Sequence, residues 1–313
     1  NVFDACVGNE KDDLHETFYK STTLPSGMLR TGTTDERILE EIEHSDIVGI
    51  TSIFSHQETM VLNTVKLIKR HFPNKLVVSG GVNARHRIKS FFDAGVDIIC
   101  TSEAEKTIVD ISNVVKRGSR DFSAIPKIIF KHGEKIITSR VKEDIIWDLD
   151  LLPMPAWDLL PNERYWKIGR PHGGHFKDNE ELKYVSMMTS LGCPFKCSFC
   201  HIGGELKNSL SGEIGRFRIK SDERVIQELE ILKNMGVKQI FVEDDSLLGK
   251  KRRAVRLISK MKGMGFDILD VNGVNIIHLL KNGKPDLEVI EVLKEAGFIE
   301  IVLPFESANK RLI

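Results

Sequence analysis

Short apolar runs alternate with amphipathic segments over the first 118 residues. The runs that predict buried strands lie at 47–52, 76–79 and 98–100. Apolar residues recur at helical spacing in four other segments, at 38–42, 60–68, 84–92 and 108–115. Near-continuous apolar strands joined by helices are typical of a parallel sheet covered on both faces. The first part of the chain is therefore predicted to be an α/β domain.

Residues 126–183 interrupt this alternation. Two β-rich runs, 127–130 and 135–138, flank a turn at His132-Gly133 and predict a hairpin. A segment rich in proline and glycine follows, which indicates a linker. The three tryptophans of the chain lie in this stretch, and we expect them to pin the linker to the face of a domain. They are Trp147, Trp157 and Trp166.

A second series of strands and helices starts at Tyr184. The predicted strands lie at 184–190, 239–242, 269–275 and 299–303, and each but the last precedes a helical pattern. Four consecutive strand–helix steps indicate a partial (β/α) barrel. We predict an α/β parallel-sheet domain over 1–125 whose first strand is missing, a hairpin and linker over 126–183, and a truncated barrel over 184–313.

Both ends of the chain interrupt predicted elements. The chain starts at Asn1 rather than Met, and residues 1–4 have the pattern of the end of a strand. It finishes at Ile313, where a helix would begin. We therefore expect the sequence to be an internal piece of a longer protein.

The composition excludes several classes of protein. The 313 residues include 45 basic and 45 acidic side chains, and this zero net charge provides no general attraction to nucleic acid or to an anionic membrane. No apolar run approaches the roughly 18 residues that span a bilayer, and no signal-peptide pattern is present. Three of the five cysteines crowd between Cys193 and Cys200, unlike a secreted disulfide framework. These features indicate a cytoplasmic protein without a membrane span.

The crowded cysteines carry the clearest chemistry of the sequence. Cys193, Cys197 and Cys200 have the spacing C-x3-C-x2-C, which can wrap one soft metal centre. A structural zinc site normally needs four ligands, whereas an iron–sulfur cubane on three cysteines leaves one iron open for a small molecule. The cluster is the favoured interpretation. Zinc completed by His201, or cysteines that bind no metal, remain as alternatives.

The segment from Thr189 to Cys200 resembles the signature of the radical S-adenosylmethionine (SAM) superfamily. This resemblance implies a [4Fe-4S] cluster on the three cysteines, with SAM bound to the open iron through its amino and carboxylate groups. Electron transfer from the cluster would then cleave SAM to methionine and a 5′-deoxyadenosyl radical.

The same resemblance implies further SAM contacts. Phe199 matches a position that approaches the adenine, and Glu243 and Asp244 match groups that receive the ammonium at the end of the second barrel strand. An exposed acidic strand end or a helix cap is the alternative for this acidic pair. Glu306 and Ser307 resemble part of a G-x-E-S pattern at the end of the fourth strand, although Pro304 stands where glycine is usual.

The whole arrangement resembles cobalamin-dependent radical SAM enzymes, in which a Rossmann-like cobalamin-binding domain precedes the radical SAM barrel. Small residues at strand ends let a large ligand approach the backbone. The resemblance places cobalamin contacts at Thr51, Ser52, Gly80, Gly81, Asn83 and Glu103. Asp13 and His15 begin a D-x-H-x-x-G pattern that Phe18 breaks, so we expect His15 to be a surface residue rather than a cobalt ligand. A degenerate scaffold that binds no cofactor is the alternative.

The leading hypothesis is a cobalamin-dependent radical SAM enzyme that methylates an unactivated carbon of a small-molecule or natural-product substrate. The resemblance implies an electron donor such as flavodoxin or ferredoxin, and we expect no nucleic-acid partner. An oxidative ring-forming enzyme of the anaerobic tetrapyrrole cyclase type is one alternative. A zinc-stabilised binding module is an alternative of another class. A tRNA methylthiotransferase is disfavoured, because its N-terminal domain needs more cysteines than Cys6 and Cys100.

Overall fold

The structure, a computed structural model, describes residues 1–141, 145–169, 182–206, 209–305 and 307. It divides into two compact units. The first comprises Asn1–Ile145 with Glu205–Ile214, and the second comprises Ile146–Gly204 with Gly215–Ile313. This division differs from the predicted boundaries at 125 and 183, because the hairpin belongs to the first unit and the linker from Ile146 belongs to the second.

A five-stranded sheet forms the centre of the first unit. Its elements are α1 (Asp35–Ile42), β1 (Ile47–Thr51), α2 (Glu58–His71), β2 (Leu76–Gly80), α3 (Val82–His86), α4 (Ile88–Ala94), β3 (Ile98–Cys100), α5 (Glu105–Lys116), β4 (Ile128–His132) and β5 (Lys135–Thr138). The strand order follows the chain from β1 to β5. The first three strands are parallel, and the hairpin β4–β5 extends the sheet in antiparallel fashion from β3. The predicted strands and hairpin are confirmed.

Alternate residues of the central strands point to opposite faces of this sheet. Val77 and Ile99 pack with helix residues on one face, and Leu76 and Ile98 pack with a different set on the other. Both faces are therefore covered, as the apolar runs predicted. No helix in the described part of the chain is long and apolar enough to cross a membrane.

Two local predictions for the first unit were wrong. The helix expected over 84–92 is interrupted at Arg87, which separates α3 from α4 with a non-helical φ of −113°. Residues 1–4 form no strand. Short apolar stretches at a chain end or around a kink have too few residues for periodicity to distinguish the possibilities.

The second unit contains a four-stranded parallel sheet. Its elements are α6 (Asn162–Ile168), β6 (Tyr184–Met187), β7 (Ser190–Leu191), α7 (His201–Gly204), β8 (Arg218–Ile219), α8 (Asp222–Asn234), β9 (Gln239–Val242), α9 (Lys251–Met261), β10 (Asp267–Asp270), α10 (Leu287–Ala296) and β11 (Phe298–Ile301). The strand order is β11-β10-β9-β6, and the short strands β7 and β8 pair separately as an antiparallel ribbon. The predicted series of parallel strands is confirmed.

Two strands of the second unit differ from their predicted bounds. The run predicted at 184–190 divides into β6 and β7, because Ser190 and Leu191 pair with β8 instead of continuing the parallel sheet. The third strand ends at Asp270 instead of Asn275, because its pairing with both neighbouring strands stops at that residue.

The linker packs against the edge of β6 through two tryptophans. The buried Trp157 ring donates from Nε1 to the Ser186 carbonyl at 3.3 Å, and Trp166 donates to the Tyr184 carbonyl at 2.7 Å. Both indoles also contribute to the main core of the unit. The prediction that tryptophans pin the linker is confirmed for these two, whereas Trp147 is half exposed.

A buried ion cluster secures the same linker to α8. The Glu228 carboxylate is inaccessible to solvent and accepts from Lys220 at 2.6 Å and from Arg224 at 2.7 Å. Arg224 also donates to the carbonyls of Leu152 and Pro153, both at 2.7 Å. The Arg224 guanidinium therefore also binds the linker, and the Glu228 carboxylate balances its charge.

We expect Glu228→Gln to lower the free energy of unfolding by about 3 kcal/mol, because two buried cations lose their counter-charge. Glu230→Gln is the matched control, since Glu230 is exposed on the same helix and makes the same charge change. Urea unfolding of both variants would measure the difference. Equal stabilities of the two variants would contradict this account of the linker.

Asp270, the last residue of β10, is buried with little compensation. Its side chain has no exposed surface, and only the backbone of nearby Gly273 acts to lower its pKa, without a hydrogen bond of good geometry to either carboxylate oxygen among the described residues. Burial raises the pKa of Asp270 to about 7, with a further contribution from the charge of Asp244. The fold therefore favours the protonated form of this carboxyl group.

Asp270→Asn should stabilise the protein more at pH 8 than at pH 5. The raised pKa contributes stability that is complete below about pH 4 and is lost as the pH rises through about 7. The asparagine carries no charge at either pH, so its advantage should grow on the order of 2 kcal/mol between them. Chemical unfolding at both pH values measures this, and a pH-independent difference would rule it out.

Candidate functional site

The three clustered cysteines lie on a loop that leaves the sheet of the second unit after β7. We call residues 193–200 the cysteine loop. Gly192, just before it, is buried and has a φ of +72°. A Cβ at this position would collide with the carbonyl oxygens of Gly215 and Arg216. The Cys193 amide donates to the Gly215 carbonyl at 3.1 Å, so glycine is required for the chain to enter the loop here.

The cysteines differ in exposure. Cys193 and Cys200 are partly buried, Cys197 is exposed, and all three are free thiols. The Cys200 amide donates to the Cys197 carbonyl at 3.1 Å, which closes a turn between these two residues. The first helical turn after the loop packs closely on it, since a Cβ at Gly203 would lie 3.1 Å from the Cys197 carbonyl oxygen.

The surroundings of the Cys193 thiol shift its pKa. Burial raises its pKa, and the charges of Asp245 and Cys197 act in the same direction. Hydrogen bonds from the Phe195 amide and the Ser246 hydroxyl act in the opposite direction.

The donor set suits an iron–sulfur cluster. Within the described ranges, no group of three or more His, Cys, Asp or Glu side chains could hold a single metal ion. A cubane makes a different demand, because each thiolate binds a different iron and the sulfurs do not converge on one point. Three free thiols on one short loop, beside the carboxyl ends of parallel strands, fit such a cluster.

The acidic end of β9 reaches the chain just before the cysteine loop. The fully buried Asp244 carboxylate accepts from the Thr189 amide at 2.6 Å, from the Thr189 hydroxyl at 2.7 Å and from the Ser190 hydroxyl at 2.5 Å. Asp245 accepts from the Gly192 amide at 3.0 Å. Glu243 is half-buried. Its backbone amide donates to the Met187 carbonyl at 2.9 Å, and its carbonyl accepts from the Asn272 side chain at 2.7 Å. Asp244 is thus engaged with the entry to the cysteine loop.

Arg253 on α9 completes this network, and sequence reasoning missed it. Its buried guanidinium donates to the Thr189 hydroxyl at 3.0 Å and to the carbonyls of Thr189 and Lys220 at 3.1 and 2.8 Å. Burial raises the pKa of Asp244 and lowers that of Arg253, and the charge of each partner opposes the shift of the other. The available signal was a charged residue four positions before Leu257, in the apolar stripe of α9.

Of the other predicted SAM contacts, Phe199 and Ser307 are among the described residues and Glu306 is not. Phe199 is 69% exposed, next to Cys200. Ser307 is half-buried, and Glu306 lies outside the described residues. Their roles stay predictions. Gly203 and Gly204 belong to α7.

In the first unit, the predicted cobalamin contacts meet at the carboxyl ends of β1, β2 and β3. The buried Ser52 hydroxyl accepts from the Asn83 side chain at 3.0 Å, and the Asn83 amide donates to the Ser52 carbonyl at 3.1 Å. Gly81 has a φ of +97° and passes so close to Ser52 that a Cβ would collide with its carbonyl. Thr51 is exposed at this edge.

This edge has the features that a large ligand needs. Gly80 is not crowded, since a Cβ placed there would make one ordinary van der Waals contact, with the Cys100 Cβ at 3.7 Å. The buried Ser102 hydroxyl has no hydrogen-bond partner within the described part of the chain, and Glu103 beside it is half-buried. Small residues and an unsatisfied polar atom fit the expected cofactor. His15 is exposed, as predicted, with 74% of its side chain accessible.

Comparisons with known proteins agree with this geometry. Residues 187–313 match the Radical SAM superfamily. An uncharacterised methyltransferase of Pyrococcus horikoshii is 29% identical over 272 residues, covering 86% of this chain and 53% of that protein. The cytidylyl-2-hydroxyethylphosphonate methyltransferase of Streptomyces wedmorensis is 24% identical, covering 96% of this chain and 58% of that protein. The chain thus spans about half the length of these relatives.

The fold also matches solved structures. The cobalamin-dependent S-adenosylmethionine radical enzyme OxsB, with aqua-cobalamin bound, superposes with a TM-score of 0.66 at 18% sequence identity. The superposition covers 90% of this chain and 38% of OxsB. Both units therefore have counterparts in one enzyme fold. Residues 187–313 match the Radical SAM superfamily, and most of the chain is similar in fold to a cobalamin-dependent radical SAM enzyme.

Proposed function

We propose that this chain provides the cobalamin-binding and radical SAM portions of an enzyme that methylates an unactivated carbon of a small molecule. The observation that carries the proposal is the cysteine loop itself. Three free thiols follow a parallel strand, and the entry to their loop is held by the acidic end of the next strand. This arrangement suits a cluster with one iron open to SAM.

The residues of each unit have distinct tasks in this proposal. Cys193, Cys197 and Cys200 would hold a [4Fe-4S] cluster, and when bound the cluster, SAM and cobalamin supply the radical and methyl-transfer chemistry. The exposed ring of Phe199 is available to cover the adenine of SAM. Glu243 would accept the SAM ammonium, because it is the partly accessible carboxylate at the end of β9.

The first unit would bind cobalamin at the carboxyl edge of its sheet. The mutual hydrogen bonds of Ser52 and Asn83 hold the ends of β1 and α3 together, so the edge is formed before a ligand arrives. Gly81 lets the chain pass closely against Ser52, and the absence of a side chain at Gly80 leaves the backbone accessible to a large ring. Thr51 and Glu103 stand at the same edge and are available for polar contacts.

Methyl transfer is favoured over the alternative chemistries. Both the Pyrococcus and the Streptomyces relatives carry methyltransferase names, and one of them is named for a nucleotide-linked phosphonate. These names favour a small-molecule substrate and methylation over oxidative ring formation. The match to the Radical SAM superfamily favours a cluster over a zinc-stabilised module. A low-potential donor such as flavodoxin or ferredoxin would reduce the cluster, and a reducing compartment such as the cytoplasm would keep the three thiols free.

Replacing Cys197 with Ala should abolish the brown chromophore and SAM cleavage together, because the cluster loses one of its three protein ligands. Iron and sulfide analysis of anaerobically purified protein should give about four irons per chain for the natural sequence. Cys6→Ala is the control, since Cys6 is far from this loop in sequence and belongs to the first unit. Stoichiometric zinc without sulfide would instead support a zinc module.

Replacing Gly80 with Val should weaken cobalamin uptake and leave the iron content unchanged. A Cβ at Gly80 makes only an ordinary contact, so we expect the fold to tolerate the substitution, and the added side chain would occupy space that the cofactor needs. Gly49→Val on β1 is the control, because a Cβ at Gly49 meets no atom within 4 Å and the residue lies before the strand end. Absorbance titration with hydroxocobalamin measures uptake, and equal uptake by both variants would refute the proposed face.

A further inference from the structure

The acidic end of β9 contains three consecutive carboxylates with different surroundings. Glu243 is half-buried, Asp244 is inaccessible to solvent, and Asp245 is exposed. We propose that Asp244 and Asp245 are positioning residues that hold Cys193 in place before iron is bound, and that only Glu243 of the three contacts SAM. This inference rests on the proposed function, because it assigns roles around the same cluster.

Both oxygens of the Asp244 carboxylate accept hydrogen bonds from the segment before the cysteine loop. One oxygen accepts from the Thr189 amide, and the other accepts from the hydroxyls of Thr189 and Ser190 at 2.7 and 2.5 Å. Arg253 donates to the Thr189 hydroxyl and carbonyl and partly balances the buried charge. An ammonium group could reach this carboxylate only by displacing these donors. Asp244 is therefore suited to hold the chain and not to bind SAM.

Asp245 holds the same segment from the exposed side. It accepts from the Gly192 amide at 3.0 Å, one residue before the first cysteine. Leu191 pairs with Arg218 across the β7–β8 ribbon, and the Cys193 amide donates to Gly215. Every residue from Thr189 to Cys193 is thus fixed by a partner outside the cysteine loop.

The rest of the cysteine loop is more exposed to solvent. Residues 196–199 are exposed, including Cys197, and Cys200 is only partly buried. The first cysteine is therefore set by the scaffold, whereas the second and third lie on the more accessible part. Partners that orient metal ligands typically change metal affinity by about 10–100-fold when they are removed. The two aspartates should act on iron retention in this way, through the backbone that presents Cys193.

The test compares three single substitutions at β9 with one control. Asp244→Asn and Asp245→Asn remove the anchors, and Glu243→Gln removes the proposed SAM contact. Asp270→Asn is the control, because Asp270 is a buried carboxylate at the end of the next strand and, among the described residues, makes no hydrogen bond of good geometry to the segment before the cysteine loop. The full chain is reconstituted with iron and sulfide, and the rate of iron loss to a chelator is measured. SAM binding to the iron-loaded protein and the EPR spectrum of the reduced cluster are also recorded.

We expect Asp244→Asn to release iron about 10-fold faster than the natural sequence, and Asp245→Asn to release it faster by a smaller factor. Both variants should show an altered EPR signal but unchanged SAM affinity per loaded cluster. Glu243→Gln should retain iron normally and bind SAM roughly 10-fold more weakly. Asp270→Asn should match the natural protein in both measurements.

Several results would overturn the assignment. One is normal iron retention by both Asp244→Asn and Asp245→Asn. Another is weakened SAM binding by Asp244→Asn with normal iron retention. Equal iron loss from Asp270→Asn would show a general effect of the buried charge. Asp245 is exposed, so its variant keeps the test valid even if Asp244→Asn fails to fold. Failure of the proposed function is separable, because the natural sequence itself would then bind zinc or no iron.

Discussion

A single buried carboxylate organises the chemistry of the second unit. Asp244 joins the end of β9 to the exit of β6 by accepting three hydrogen bonds from Thr189 and Ser190. Because the group is completely enclosed, an ionised carboxylate is tolerated only with these donors and the nearby Arg253 guanidinium. The cysteine loop begins at the point that this interaction defines, so the position of the first thiol depends on it.

The linker stabilises the second unit, although its proline- and glycine-rich composition suggests only a connection between domains. Two indole N–H groups bond to the carbonyls of β6, and Arg224 binds carbonyls of the linker while Glu228 balances its charge. The first strand of this sheet therefore has a covered edge, which keeps its backbone from pairing with other chains. A stable β6 in turn supports the loop that follows it.

The first unit prepares a binding edge by a different physical means. The contacts described at this edge are neutral hydrogen bonds and a close backbone approach. Gly81 allows the chain to pass against Ser52, and Asn83 reaches back to the same residue. The result is a rigid edge with little side-chain bulk, whereas the second unit uses buried charge to direct thiols. Each device suits its proposed cofactor, a large ring in one unit and an inorganic cluster in the other.

The sequence alone determined the parallel strands, most helix bounds and the spacing of the three cysteines, because periodicity and short motifs are local properties. It could not separate Glu243 from Asp244 and Asp245, since adjacent acids differ only in which side of the strand each faces. It also missed Arg253, which acts on residues 64 positions earlier in the chain. The early end of β10 and the division of the run at 184–190 depended on pairing with distant strands. Tertiary structure decided these points, because burial and hydrogen-bond partners are set by residues that meet only after folding.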